Sequence, residues 1–236
     1  HFLIPAKKEA TLSESQAIVV CDLGFGDAGK GSIVDFLTRD ASAHTVVRYN
    51  GGAQAAHNVV TPDGRHHTFA QFGSGGFVPG TGTHLSRFML VNPFNLFAEG
   101  NHLVELGVTD AFTRITIDEG ALIITPFQVS ANRLREMSRG SDIHGSCGQG
   151  VGETMADQLH YGERVVFARD LLDPRKLARK LKFLRDCKKA EVSALRKELP
   201  ATDSVRRELR VFEDPGIIEA CLEIYQDFVS IVRIVA

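Results

Sequence analysis

The stretch Ala17-Ile-Val-Val-Cys-Asp-Leu-Gly-Phe-Gly-Asp-Ala-Gly-Lys-Gly-Ser-Ile-Val-Asp-Phe-Leu37 decides the fold that this sequence predicts. It opens with a compact apolar segment, Ala17–Cys21, of the kind that forms a buried strand near the centre of a sheet. A first glycine loop, Gly24–Gly31, follows, and Ser32–Leu37 is expected to be helical. A second strand is expected at Thr45–Tyr49. Strand, glycine turn, helix and strand in this order begin a parallel α/β sheet.

Further strands are expected at Phe88–Val91 and Arg114–Ile117. Between them, the apolar spacing of Pro93–Leu106 predicts a helix, and Gly107 is suited to end it. Another helix is expected over Ser130–Ser138. The fold class predicted from these elements is α/β, with a mainly parallel central sheet and a glycine turn that resembles a phosphate loop.

The last third of the chain has a different pattern. Asp173-Pro174 and Asp214-Pro215 each place an N-cap residue before a proline, which is a start signal for a helix. Apolar residues then recur at helical spacing. The sequence therefore predicts an N-terminal arm at residues 1–16, an α/β nucleotide-binding core at 17–172 and a helical segment at 173–236.

Composition excludes several classes of protein. Hydrophobic residues make up 43% and charged residues 24% of the 236, which are ordinary globular values. A net charge of −2 argues against bulk binding of nucleic acid, and the apolar stretches are too short to span a membrane. No C-x-x-C pair is formed by the four cysteines, Cys21, Cys147, Cys187 and Cys221. With no secretory signal, we expect a cytoplasmic protein with no nucleic-acid or membrane partner.

The first glycine loop satisfies the G-x-x-x-x-G-K part of a phosphate-binding loop, although Gly31 stands where that motif has Ser or Thr. Glycines let backbone N–H groups converge on phosphate oxygens, and the following helix points its positive end at the same place. A tight turn without a ligand is the alternative, and the cation at Lys30 favours phosphate binding. The predicted phosphate-binding residues are Gly24, Gly26, Gly29, Lys30 and Gly31.

Asp27 is the unusual member of this loop, because a carboxylate repels the phosphate that the loop would bind. Its presence is understandable if it binds Mg²⁺ or takes a proton from a substrate. A simple turn hydrogen bond is the structural alternative.

Segments in the same order resemble the motifs of the adenylosuccinate synthetase family. Gly26–Asp35 resembles G-D-E-G-K-G-K-I-V-D, and Arg48–Val60 resembles R-x-x-G-G-x-N-A-G-H-T-V-V. Ile117–Met137 resembles the helix before the substrate-phosphate loop, and Gly145–Gly152 resembles that loop itself, G-T-T-G-R-G-I-G. The second and third glycine loops of this chain, Gly51–Val60 and His144–Gly152, fall within these matches.

The resemblance implies a GTP-dependent purine ligase that phosphorylates the 6-oxygen of inosinate and lets aspartate displace the phosphate. It implies that Asp27 and His57 are catalytic, that Asp27 and the carbonyl of Ala56 bind Mg²⁺, and that the enzyme is a homodimer. By itself, a His in a glycine and alanine loop is as readily a polar turn residue. The substrate-binding residues implied by the matched motifs are Asp27, Gln54, Ser146, Cys147 and Gln149.

Some positions depart from the family pattern. Gln54 replaces an asparagine, Cys147 a threonine and Gln149 an arginine, and Tyr161 falls near an arginine that the family lends to the neighbouring subunit. As an alternative to substrate binding, Cys147 is interpreted as a small buried filler. Relatives continue past the position that matches Ala236, and their guanine-recognising and aspartate-binding motifs have no counterpart in these residues.

Three functions stay open at this point. The first is the purine ligase, and the second is a divergent relative that acts on another carbonyl-bearing nucleotide or metabolite. The third is a non-catalytic nucleotide-binding paralogue. The joint presence of Asp27, Lys30 and His57 argues against this third function.

Overall fold

The computed structural model describes residues 15–24, 28–140 and 145–236. Its helices are α1 (Lys30–Asp40), α2 (Pro93–Glu105), α3 (Pro126–Ser138), α4 (Val151–Tyr161), α5 (Pro174–Leu195), α6 (Asp203–Glu213) and α7 (Ile217–Ile231). Its strands are β1 (Thr45–Gly51), β2 (His57–Val60), β3 (His66–Phe69), β4 (Gly82–Val91), β5 (Ile115–Asp118), β6 (Leu122–Ile123) and β7 (Arg233–Val235).

The central sheet is parallel, as the sequence predicts. Its strands follow the order β1-β4-β5-β7, and β6 pairs in parallel with the far end of β4. The expected strands Thr45–Tyr49, Phe88–Val91 and Arg114–Ile117 correspond to β1, the end of β4 and β5. A separate antiparallel hairpin joins β2 to β3. The α/β class with a mainly parallel sheet is therefore confirmed.

The strand predicted at Ala17–Cys21 is wrong. This segment has no regular structure and no partner strand among the described residues, and Val19 is 80% exposed. The central position belongs to β4, which has β1 on one side and β5 on the other. An apolar segment favours burial, but a strand also needs a neighbouring strand that pairs with its backbone groups. The residues of the segment itself do not show whether such a neighbour exists.

The sequence also missed short strands. Residues 57–60 were expected to be part of a loop, yet they form β2 because the turn at Thr61–Gly64 folds β3 back onto them. The segment 173–236 was expected to be helical, yet Arg233–Val235 forms β7 beside β5. Apolar residues at the end of α7 continue into β7, so helical spacing did not show where the helix ends.

Of the two start signals in which Asp precedes proline, one marks the helix start and the other is displaced. Asp173 accepts a hydrogen bond from the Lys176 N–H at 3.0 Å, and α5 begins at Pro174. The similar signal at Asp214 is displaced, because this carboxylate accepts from the Gly216 N–H at 2.8 Å and forms a turn. As a result α7 begins two residues after the predicted proline, at Ile217.

Aromatic side chains join α2 to α7. The Phe94 and Tyr225 rings lie 5.9 Å apart, and the Phe97 and Phe228 rings lie 5.7 Å apart, both edge to face. Tyr225 and Phe228 are fully buried. In the residues that the structure describes, no helix combines the length and the apolar character needed to cross a membrane.

A buried lysine connects α5 to α4. Lys188 is 2% exposed, and its Nζ lies 2.5 Å from Asp157 and 2.9 Å from Glu153. Burial alone would lower the pKa of Lys188, but its hydrogen bonds to Asp157 and Glu153 outweigh burial and raise it. Arg135 of α3 joins the same cluster, 2.8 Å from Glu153. Three helices are therefore held together by paired charges rather than by apolar contact alone.

We predict that Lys188→Met lowers the free energy of unfolding by about 3–5 kcal/mol, because it leaves the Asp157 carboxylate buried without its cation. The matched control is Lys189→Met, the same change on an exposed neighbour, which is expected to cost less than about 0.5 kcal/mol. Urea denaturation of both variants measures the difference. Equal midpoints for Lys188→Met and the wild type would contradict the structural role of the cluster.

A second buried carboxylate predicts a dependence of stability on pH. Asp170 is fully buried, and burial alone would raise its pKa, but hydrogen bonds from Lys176 and Lys180 hold the pKa below its usual value. A carboxyl group with a lowered folded pKa stabilises the protein above its unfolded pKa of about 4 and loses that contribution as the pH falls further. We therefore expect Asp170→Asn to flatten the fall in unfolding free energy below about pH 4, measured by urea titration at several pH values. An unchanged slope would contradict this.

Candidate active site

The first glycine loop leads directly into α1. Gly29 is the N-cap of this helix, with φ of 81°, and among the described residues no side chain caps the helix. The first-turn N–H groups of Lys30 and Gly31 lie at this uncapped end, which is the arrangement that binds phosphate. Gly24, the first residue of the loop, is exposed. The predicted residues Gly26 and Asp27 lie outside the described residues.

Lys30 is paired with a carboxylate in this structure. Its Nζ forms a close ion pair with Asp22, and the side chains are 36% and 20% exposed. A phosphate bound to this loop would therefore share the Lys30 ammonium with Asp22 or displace it. The sequence identified Lys30 but not its partner Asp22, which directly follows the apolar segment Ala17–Cys21.

Close backbone packing brings the first glycine loop against the second. A Cβ atom on Gly31 would lie 2.7 Å from the His57 Cβ and 3.1 Å from its Cα, distances that side chains do not tolerate. Ser32 adds a hydrogen bond from its hydroxyl to the Asn58 carbonyl at 3.4 Å. The start of α1 and the start of β2 therefore touch, which brings the segments that contain Lys30 and His57 together.

The second glycine loop leaves β1 after an irregularity in strand pairing. The register between β1 and β4 shifts between Arg48 and Asn50, and the Tyr49 carbonyl accepts a hydrogen bond from the Ser86 hydroxyl. Gly52 then approaches α4 so closely that a Cβ there would lie 2.9 Å from a Val151 methyl group. This contact brings the second loop to the third, at the carboxyl ends of β1 and β4, where parallel sheets bind ligands.

Two of the residues predicted in this loop are solvent-accessible. Gln54 is exposed, and its Oε1 would lie 2.8 Å from a Cβ on Gly52, so its side chain folds back over the loop. Ala56 is exposed beside His57. The carboxylate of Asp27 and the carbonyl of Ala56 are hard oxygen donors, which suit Mg²⁺. Among the described residues no group of three or more His, Cys, Asp or Glu side chains is placed to hold a metal.

The third glycine loop is fixed to α3 by an amide. The Asn132 Nδ2 donates to the Ser146 hydroxyl at 2.9 Å, and its Oδ1 accepts from the Gly150 N–H at 3.3 Å. Gly150 has φ of 75°, and a Cβ there would lie 2.9 Å from the Val129 nitrogen, so only glycine fits. Cys147 is exposed, and its interpretation as a buried filler is wrong, because the loop exposes Gly145 and Ser146 as well.

Gln149 is held by a side chain that the sequence did not single out. The Asn95 Nδ2, in the first turn of α2, donates to the Gln149 Oε1 at 2.5 Å. Asn95 is itself positioned because its N–H donates to the N-cap Asn92 at 3.2 Å. The amide that replaces an arginine of the family pattern is thus anchored at the end of β4.

His57 contacts a buried arginine. The Arg48 Nη1 lies 2.9 Å from the His57 Nδ1, and its Nη2 donates to the Ala70 carbonyl at 2.9 Å. Burial lowers the pKa of Arg48, and the nearby Glu99 carboxylate acts in the opposite direction. The sequence placed Arg48 in a motif without giving it a role. An arginine inside an apolar strand was the signal, because such a charge is buried only where it has partners.

The close contact of Gly31 gives a direct test of the site. Gly31→Ala is expected to lower the unfolding free energy by about 1–3 kcal/mol, because the added methyl group would push α1 away from β2. It is also expected to weaken nucleotide binding, measured by calorimetry. Gly152→Ala is the matched control for the unfolding measurement, since Gly152 occupies the same second position in α4 and a Cβ there meets nothing within 4 Å. Equal effects of the two changes would contradict the packing argument.

Comparison with known proteins shows the family of this chain. The family model for adenylosuccinate synthetase matches residues 19–228. The adenylosuccinate synthetase of Marinomonas sp. (strain MWYL1) is 34% identical over 165 residues, covering 70% of this chain and 37% of the relative. That of Streptococcus sanguinis (strain SK36) is 36% identical over 158 residues, covering 66% of this chain and 35% of the relative.

A solved structure shows the same fold. A fully ligated adenylosuccinate synthetase from Plasmodium falciparum aligns with a TM-score of 0.63 and 18% identity, covering 84% of this chain and 43% of that one. The chain spans 37% of the length of the Marinomonas relative, so it corresponds to part of such an enzyme. The match over residues 19–228 shows that the chain belongs to the adenylosuccinate synthetase family.

Proposed function

We propose that this chain carries the nucleotide-activating part of an adenylosuccinate synthetase-type purine ligase. In this reaction GTP phosphorylates the 6-oxygen of inosinate, and the amine of aspartate then displaces the phosphate. The observation that carries the proposal is the contact between Gly31 and His57, which brings a phosphate loop and the predicted catalytic histidine together. Family membership supports a ligase that uses nucleotide and amino acid substrates.

Phosphoryl transfer requires positioning and charge neutralisation more than covalent chemistry. The N–H groups at the start of α1 and the ammonium of Lys30 would bind the phosphates of GTP. His57, packed against the same helix start, would donate a hydrogen bond to oxygens that gain charge in the transition state. The contact between Gly31 and His57 holds the helix start and the histidine close together, whereas Lys30 would have to share or leave its partner Asp22.

Asp27 would supply the proton chemistry. It would take the N1 proton of the purine, which makes the 6-oxygen a better nucleophile toward the γ-phosphoryl group of GTP. Asp27 and the carbonyl of Ala56 would also hold Mg²⁺, whose positive charge would neutralise the phosphate oxygens. A phosphorylated oxygen then leaves more readily than an amide-like one, which allows the amine of aspartate to attack.

The third glycine loop would bind the phosphate of the acceptor nucleotide. The helix α4 begins at Val151 with Gly150 as its N-cap and without a capping side chain among the described residues. Its first-turn N–H groups and the Ser146 hydroxyl would contact the phosphate, next to Cys147 and Gln149. Because Gln149 is uncharged where the family has an arginine, we expect weaker binding of this phosphate than in the family pattern.

One observation favours a second candidate function. The Gln149 amide is already engaged with Asn95 at 2.5 Å, and Gln54 replaces an asparagine at the acceptor side of the second loop. A divergent relative that phosphorylates and amidates another carbonyl-bearing nucleotide or metabolite would use a different acceptor pocket. A binding screen with purine monophosphates separates the two, since the first candidate requires inosinate to bind best. A homodimer in the cytoplasm remains a prediction for both.

We predict that the intact protein releases phosphate from GTP only when inosinate and aspartate are both present. His57→Ala is expected to lower kcat by about 100- to 1,000-fold, because a fixed donor to the transition state is lost. The matched control is His66→Ala, which removes an exposed histidine from the adjacent strand β3 and should leave kcat unchanged. A coupled phosphate-release assay measures these rates.

The outcomes separate the alternatives. No phosphate release with inosinate and aspartate, but release with another carbonyl-bearing acceptor, would favour the divergent relative. A non-catalytic paralogue predicts no release with any acceptor and predicts that Asp27→Ala leaves the biological effect of the protein intact. Loss of that effect in Asp27→Ala, with folding retained, excludes the paralogue.

A further inference from the structure

We propose that Arg48 is a positioning residue that holds the His57 ring with Nδ1 as a hydrogen-bond acceptor and the ring hydrogen on Nε2. The catalytic consequence of this inference rests on the proposed function, whereas the ring geometry does not. The observations that carry it are the chemistry of the two groups, the burial of Arg48 and the anchoring of its other end.

The chemistry fixes the direction of the hydrogen bond. The Arg48 Nη1 and the His57 Nδ1 lie 2.9 Å apart. A guanidinium has only N–H donors and no acceptor, so Nδ1 must be the acceptor in this bond. A nitrogen that accepts cannot carry the ring hydrogen, which therefore lies on Nε2. The alternative tautomer would bring two N–H groups together at that distance.

The guanidinium cannot easily turn away from the ring. Arg48 is 9% exposed and is the buried residue of β1, where the neighbouring Val47 and Tyr49 face solvent. Its Nη2 donates to the Ala70 carbonyl at 2.9 Å, so the planar group is held at both Nη atoms. A planar group fixed at two points presents its remaining N–H groups in fixed directions.

A second buried charge, Glu99, fixes the segment whose carbonyl accepts from Arg48. Glu99 of α2 accepts hydrogen bonds from the N–H groups of Ala70, Gln71 and Phe72 at 2.8–3.0 Å. These bonds fix the peptide whose carbonyl receives Arg48. Glu99 is 9% exposed, and it favours the charged form of Arg48. The position of His57 is therefore linked to α2 through Glu99, Ala70 and Arg48.

The consequence concerns which ring atom can serve the reaction. Nδ1 is engaged with Arg48, so Nε2 is the ring atom that can donate a hydrogen bond to a phosphoryl oxygen. Because α1 touches the same histidine at Gly31, the ring is fixed relative to the phosphate loop as well. Arg48 thus selects both the orientation of the ring and the atom it offers.

The test is ¹⁵N NMR of the intact protein with labelled histidine, in which the His57 ring signals are assigned from those lost in His57→Gln. In the wild type we expect an unprotonated, hydrogen-bonded Nδ1 and a protonated Nε2. Arg48→Met removes the donor, so the Nδ1 signal is expected to shift, either to the value of an unbonded nitrogen or toward that of a protonated one. A hydrogen on Nδ1 in the wild type, or an unmoved signal in Arg48→Met, overturns the inference.

Arg114→Met is the matched control. Arg114 is also a largely buried guanidinium, and it donates to the carbonyls of Gly76, Val78 and Thr81 without contacting His57. It should lower stability but leave the His57 signals in place. If Arg48→Met does not fold, the wild-type spectrum still decides, since it must show hydrogen on Nε2.

Kinetics supply the second readout. If the ring is mispositioned, Arg48→Met lowers kcat by about 100-fold while the KM for GTP changes little, because the phosphate loop is intact. A rise of about 100-fold in the KM for GTP, with kcat unchanged, would contradict a positioning role. Absence of turnover in the wild type would reject the proposed function, and the NMR result would then still decide the role of Arg48.

Discussion

A buried guanidinium imposes the main constraint on this structure. Arg48 lies inside the sheet at 9% exposure, and each of its N–H groups needs an acceptor if burial is not to be costly. Its Nη atoms reach His57 and Ala70, while its Nε has no partner among the described residues. The hairpin of β2 and β3 must therefore fold back over β1, since both acceptors belong to it or follow it directly.

Much of the fold was predictable because its signals are local. The strand expected at Thr45–Tyr49 and the helix start expected at Asp173-Pro174 each depend on a few adjacent residues, and both correspond to an observed element. Ala17–Cys21 failed because a strand requires a partner from elsewhere in the chain, and β4 is already paired on both sides. Arg233–Val235 was missed for the same reason, since β5 alone makes it a strand.

The candidate site shows the same division between local and distant information. Glycine spacing predicted phosphate binding by the loop at Gly24–Gly31, and the family resemblance implied a catalytic His57 in the loop at Gly51–Val60. The structure brings these two loops into contact at Gly31 and His57, and their roles stay predictions. A partner distant in sequence, such as Asn95 for Gln149, was not predictable. This contact depends on which helix start and which loop become neighbours at the end of β4, and that follows only from the order of strands in the sheet.

Two buried cations of this chain, Lys188 and Arg48, differ in the groups that they contact. Lys188 lies within 3.1 Å of carboxylates from Glu153, Asp157 and Glu191, so its charge is neutralised by contact. Arg48 instead contacts an imidazole nitrogen and a peptide carbonyl, which are neutral acceptors.

Glu99 favours the charged form of Arg48, while its own oxygens accept hydrogen bonds from the backbone of residues 70–72. Glu99 therefore acts on Arg48 through its field and also fixes the segment that contains the Ala70 acceptor. A buried positive charge acts strongly on nearby groups because solvent does not screen it, and Arg48 contacts the histidine that packs against the start of α1. Under the proposed function, the same charge would also favour a phosphate group bound at that helix start.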